Sequence, residues 1–122
     1  MLNTAKYLLK NLESYPNESA ISSKGKSGSW ETKTWSEFYD LVQSISKSFI
    51  SLGINKNDKI SIYSYNRIEW NACYLATQLT NSVAVGVYHT SSSEEVEWVV
   101  GNSDSKIIFV GNNPNDNDYY LD

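Results

Sequence analysis

Residues able to do chemistry gather where an unbroken apolar run, 83–88, ends in His89-Thr90-Ser91-Ser92-Ser93 and three nearby carboxylates, Glu94, Glu95 and Glu97. Nucleophilic catalysis would need a Ser/Asp pair placed with the imidazole, and a metal site would need a second ligand of that kind. His89 has no such pair at a nucleophile elbow, and it is the chain's single histidine. The three glutamates crowd the start of one predicted helix, where the helix dipole favours negative charge, so capping outweighs acid–base work there. No catalytic residue is assigned. A buried strand running straight into a capped helix is nonetheless the joint of a βαβ unit, and in open α/β sheets that joint faces the ligand crevice. Function is therefore expected near residues 88–92.

Other chemical motifs in the chain fail on their spacing. Gly25-Lys26-Ser27 matches the end of a phosphate-binding P-loop, but Ala20 stands where the motif needs its first glycine, and a second strand follows where it needs a helix. The Asp/Asn alternation of 112–118 has the flavour of a calcium loop but lacks the required glycine and distal glutamate, which leaves a solvated linker. Cys73 is the only cysteine, so an internal disulfide is excluded, and its place inside a predicted helix reads as a small core residue. Asn17-Glu18-Ser19 is a glycosylation sequon without a secretory signal before it.

These groups sit in a chain of 122 residues with 40% hydrophobic, 20% charged and 13% aromatic content, the composition of a globular domain and not of a disordered one. A formal charge of −4 gives no basic footprint and argues against nucleic acid as a partner. No stretch approaches the roughly 18 apolar residues of a transmembrane helix. A cytoplasmic protein in a reducing compartment is expected, with any contact to membranes peripheral.

The elements that must position the strand-to-helix joint follow from periodicity. Ala5, Leu8, Leu9 and Leu12 form one stripe of a short N-terminal helix, and segments 20–23 and 29–34 suit a β-hairpin. Trp35, Phe38, Val42, Ile45, Phe49 and Leu52 form the stripe of the clearest helix, opened by a Thr34/Glu37 capping box and closed by Gly53. Residues 59–65 alternate as a strand, and 66–79 form a helix with Ile68, Ala72, Leu75 and Leu79 on one face. The run 83–88 reads as a strand buried on both faces. A helix over 93–102 turns Val96, Val99 and Val100 inward, and 106–110 is a third apolar strand. The predicted fold class is α/β: a parallel sheet of βαβαβ type preceded by a helix and a hairpin.

Taken in order, Thr34-Trp35-Ser36-Glu37-Phe38, Ser51-Leu52-Gly53-Ile54, Asn66-Arg67-Ile68-Glu69-Trp70, residues 84–96 and residues 103–110 resemble the N-terminal part of the adenylate-forming acyl-CoA synthetases, in particular the long-chain fatty acid type. The resemblance spans roughly residues 16–111, with Asn81 standing where that family usually has glycine. It implies a first subdomain over 1–111 followed by a polar tail, 112–122. For a parent enzyme it implies ATP-dependent formation of an acyl-adenylate with Mg²⁺, then transfer of the acyl group to coenzyme A. The phosphate loop, nucleotide motifs and catalytic lysine of that family have no counterpart in this sequence, so the chain is expected to be a fragment that is inactive alone and holds no cofactor itself. His89, Thr90 and Ser91 are the residues expected to rim an acyl or CoA passage. A flavodoxin-like binding module is the alternative, and a sheet cut from its parent is expected to expose an apolar surface able to form a homodimer.

Overall fold

The computed structural model describes residues 3–24 and 28–111. The Gly25-Lys26-Ser27 motif and residues 112–122, expected as a polar tail, lie outside the described residues. The elements run α1 (Ala5–Ser14), β1 (Ser19–Lys24), β2 (Trp30–Thr34), α2 (Trp35–Ser51), β3 (Lys59–Tyr63), α3 (Ile68–Leu79), β4 (Val83–Val87), α4 (Ser93–Ser103) and β5 (Ile107–Val110). β1 and β2 pair antiparallel, while β3 pairs parallel with β4 on one side and β5 on the other. The fold is thus the expected α/β arrangement, with strand order β4-β3-β5.

Local chemistry specifies α2 at both ends. Thr34 Oγ1 accepts from the Glu37 N–H at 3.2 Å, and Glu37 returns a carboxylate oxygen to the Thr34 N–H at 2.9 Å. These bonds hold the Glu37 carboxyl below its usual range. At the other end Gly53 takes φ +85°, the left-handed conformation that terminates helices. The stripe buries Phe38, Val42 and Phe49, but Leu52 is 67% exposed because the helix stops at Ser51. Ser46 occupies the buried face as well, with its hydroxyl donating to the Val42 carbonyl at 2.8 Å.

The alternation of the strands then sorts the sheet into two unlike faces. Ile60 and Ile62 point to the side where α2 and α3 pack, and Ile60 joins Leu8, Phe38, Val42, Phe49, Ile68, Ala72 and Ala76 in one core. Ser61 and Tyr63 point to the other side. Ser61 Oγ lies 2.6 Å from Ser105 Oγ, and Ser105 Oγ lies 2.7 Å from Ser103 Oγ. Register carries the same division across the sheet, putting Ala84, Gly86 and Ile107 with the isoleucines, and Val83, Val85, Val87 and Ile108 with Ser61 and Tyr63.

Three expectations need correcting. The strand expected over 59–65 ends at Tyr63, and β3 is buried from Ile60 onward because it is the central strand with helices on both faces. β4, expected to be buried on both faces, is an edge strand with Val83 41% exposed and only Val87 fully buried. Val96, Val99 and Val100 are half-buried, and no residue of α4 is fully buried. Cover on the α4 face is therefore partial, which leaves Ile108 37% exposed.

Asn81, with φ +54°, provides the left-handed turn after α3. Asp58 accepts the Asn55 N–H at 2.6 Å and pairs with Lys106 at 2.9 Å, which holds its carboxyl below the usual range. That bond ties the loop before β3 to the start of β5.

The two faces should respond unequally to truncation. Ile60→Ala, at a fully buried position, should cost about 2–5 kcal/mol in urea unfolding. Ile108→Ala, on the half-covered face, should cost under about 1 kcal/mol. Equal losses would contradict the division of the sheet described above.

Candidate functional site

The order β4-β3-β5 makes the chain reverse direction at β3 and β4. From β3 the connection passes through α3 outward to β4, whereas from β4 it passes through α4 back across β3 to β5. Right-handed crossovers in opposite directions put α3 and α4 on opposite faces of the sheet. The β3–α3 and β4–α4 loops therefore leave toward opposite faces from neighbouring positions at the carboxyl ends of the strands, the end of the sheet at which open α/β folds bind ligands.

A cavity of about 320 Å³ occupies that position, lined by Ser64, Asn66, Trp70, Gly86, Val87, Tyr88 and His89. Ser64 and Asn66 come from the β3–α3 loop, Trp70 from the first turn of α3, and Tyr88 and His89 from the β4–α4 loop. The two loops meet through rings: Tyr65 and His89 stack with centroids 4.2 Å apart and planes 30° apart. Below them the Tyr63 hydroxyl lies 3.4 Å from the Ser91 carbonyl oxygen. Burial, with Tyr65 nearby, pushes the Tyr63 phenol above its usual range. Ser92 caps α4, its hydroxyl accepting from the Glu95 N–H at 3.2 Å, which fixes where the loop ends.

Of the three rim residues singled out in the sequence, His89 lines the cavity and stacks its ring on Tyr65, Ser91 faces Tyr63 through its backbone, and Thr90 is exposed on the loop. The sequence reading missed Ser64, Asn66, Trp70 and Gly86. A signal for Gly86 was present, since a lone glycine inside a β-branched run marks a place where something approaches the backbone. Packing does not demand it: a Cβ there would meet only Trp70, at an ordinary 3.7 Å. Gly111 is different. Its N–H donates to the Tyr63 carbonyl at 2.9 Å, and a Cβ would collide with the Ser64 side chain.

The chemistry on offer is recognition through aromatic walls, an open backbone surface at Gly86, and short polar groups. Among the described residues no group of three or more His, Cys, Asp and Glu side chains could hold a metal ion. Also among them, no helix is long and apolar enough to cross a membrane. Cys73 is buried away from solvent in α3. Burial, with a smaller contribution from Glu69, pushes its thiol up to about 12.

A three-stranded parallel sheet with a helical crossover on each face defines a doubly wound α/β unit. The chain belongs to the AMP-binding enzyme family, whose model matches residues 8–120. It is 33% identical over 104 residues to the long-chain-fatty-acid–CoA ligase ACSBG2 of Mus musculus, covering 84% of this chain and 15% of that protein. It is also 33% identical over 82 residues to the long-chain-fatty-acid–CoA ligase FadD15 of Mycobacterium tuberculosis, covering 67% of this chain and 14% of that protein. The chain thus spans about 15% of the length of the curated relatives it matches. Its fold is like that of the N-terminal domain of FACL13 from Mycobacterium tuberculosis, with a TM-score of 0.79 at 21% identity over 88% of this chain and 26% of that one. The Mycobacterium tuberculosis fatty acyl CoA synthetase gives 0.78 at 21% identity, over 87% of this chain and 20% of that one. The chain therefore resembles the N-terminal portion of long-chain fatty acid–CoA ligases, a reading better supported than a flavodoxin-like module.

The Cys73 environment makes a test of the core around α3. The folded protein should resist a thiol reagent at pH 8 and react fully once unfolded by urea. A folded value raised above the unfolded value of about 8.5 favours the neutral thiol in the fold, so stability is flat below about pH 8.5 and falls as pH rises from there toward 12. Cys73→Ala should reduce the slope and leave only the part at higher pH that comes from the raised Tyr63 phenol, and rapid labelling of the native thiol would show that the core is not closed.

Proposed function

We propose that this chain forms the first subdomain, over residues 1–111, of an ATP-dependent ligase that joins a long-chain fatty acid to coenzyme A in the cytoplasm. The reaction would run through an acyl-adenylate and end in the thioester, with ATP, Mg²⁺ and CoA as its requirements. The match of the family model over residues 8–120 carries this reading, and the names of the relatives supply the substrate class. No step through magnesium is assigned to this segment, because its described residues offer no cluster to hold the ion.

Within that reaction the crevice between β3 and β4 has a passive part. His89, Thr90 and Ser91 form one rim of an acyl or CoA passage, and the Tyr65–His89 stack fixes the rim's height. Trp70 and Gly86 form the wall beneath. Residues 112–122 would serve as the link to whatever follows, and in the absence of a covering segment the half-open face of the sheet would pair two copies.

The test uses the polypeptide encoded by the whole reading frame, assayed for thioester formation from palmitate, ATP and CoA. Thioester is expected, with AMP released in equal amount. His89→Ala and Gly86→Val should each raise KM for the fatty acid or for CoA about five- to thirtyfold while kcat changes little, the pattern of lost uniform binding. Failure to form either adenylate or thioester overturns the ligase reading. Normal KM values in both variants overturn the rim assignment alone.

A further inference from the structure

A second cavity, of about 260 Å³, shares Asn66 with the crevice and lies between the β3–α3 loop, the start of α3 and the β1–β2 hairpin. The hairpin contributes Lys24 and Trp30, cross-strand partners at one end of the β1–β2 ladder. The other wall brings Arg67 and Asn71. Lys24 and Arg67 are the only charged side chains in the described lining, and both are cations in a chain of net charge −4. Arg67 is also the chain's single arginine. Glu31, next to Trp30 in β2, pairs with Lys33 at 3.5 Å, and successive residues of a strand point to opposite faces. The positive charge of the cavity is therefore not offset from within it.

Arg67 is half-buried and its backbone is fixed. Its carbonyl accepts the Trp70 N–H at 3.1 Å, and Asn71 Nδ2 donates to the same oxygen at 3.4 Å. A Cβ built on Gly111 would lie 3.5 Å from the Arg67 guanidinium carbon, which puts the guanidinium against the backbone just after β5. α3 starts at Ile68 without a hydrogen bond from a capping side chain, so the positive end of its dipole adds to the same wall. Trp30 lines the cavity yet is 68% exposed, which leaves indole surface open to a flat group. Ile21 and Ile68 supply the apolar part of the lining.

We propose that this cavity binds a phosphate monoester carried on a planar ring, with Lys24 and Arg67 holding the phosphate and Trp30 stacking on the ring. Two cations match the nearly double charge that a phosphate monoester carries at neutral pH. The guanidinium fork fits phosphate oxygens, and the ammonium of Lys24 adds a point charge beside it. An exposed indole face takes flat rings of many kinds, because each presents a π-face. The side-chain amides of Asn66 and Asn71 offer donors and acceptors to the polar edge of such a ring. A mononucleotide and an aryl phosphate share this chemistry. A fatty acid does not, having one charge and no ring, so this site is separate from the passage assigned to the crevice.

The test is calorimetric titration of the 122-residue chain with phenyl phosphate, uridine 5′-monophosphate, inorganic phosphate and benzyl alcohol. At least one of the two ring phosphates should bind about tenfold more tightly than inorganic phosphate, and benzyl alcohol should not bind. Tighter binding of the nucleotide assigns the site to a ring held across a sugar, and tighter binding of phenyl phosphate to a ring directly on the phosphate; both support the proposal. K24Q and W30A, at exposed positions, should keep the circular dichroism of the chain and each weaken binding about fivefold. K33Q, outside the cavity, should leave it unchanged. The proposal is overturned if neither ring phosphate binds, if inorganic phosphate binds as tightly as both, or if K33Q weakens binding as much as K24Q. No readout involves fatty acid, coenzyme A or thioester, so the outcome is independent of the ligase reading.

Discussion

The structure depends on the burial of β3 between two partner strands and two unlike layers. Its residues 60–63 are buried on both faces. A strand in that position cannot leave N–H or carbonyl groups unpaired without a penalty of about 1–3 kcal/mol each, so it needs a neighbour on either side. β4 and β5 supply them in parallel register. Parallel pairing in turn requires crossover segments, and the handedness of crossovers decides where α3 and α4 must lie.

The crevice is a consequence of this constraint and needs no separate design. Because parallel strands end at the same side of the sheet, the β3–α3 and β4–α4 loops lie next to each other there and meet where Tyr65 stacks on His89. What the local sequence adds is the lining: Trp70 on one side, the bare backbone of Gly86 below, and the Tyr65–His89 stack across the top. Gly86 gives up the packing a β-branched residue would contribute inside a strand. Gly111 at the neighbouring strand end does the opposite job, closing the sheet against Ser64 where no side chain would fit.

Much of this architecture could be read from local patterns. The α2 stripe with its capping box, the left-handed turn at Asn81 and the burial of Cys73 are each written in adjacent residues. So is the order of the elements, from which the parallel sheet follows. Strand order was not legible, because it depends on which strand the third one joins. That single unknown explains why 83–88 looked doubly buried, when it forms an edge strand and the central position belongs to β3. The candidate site divided along the same line. His89 was visible because it ends an apolar run, whereas Ser64, Asn66 and Trp70 come from another loop that only the folded sheet brings alongside. Leu52 matched a helical period but fell one residue beyond the helix that would have buried it.

The incomplete burial of α4 bears on how the molecule breathes. This helix is anchored by half-buried valines and by the serine hydroxyls that link Ser61, Ser103 and Ser105. Those hydroxyls can trade one another for water at little enthalpic loss. Detachment of α4 thus wets a hydroxyl-lined layer while the isoleucine side of the sheet stays dry under α2 and α3. By the burial of its side chains, α4 is less firmly held than β3, and the His89 loop is joined directly to the more weakly held element.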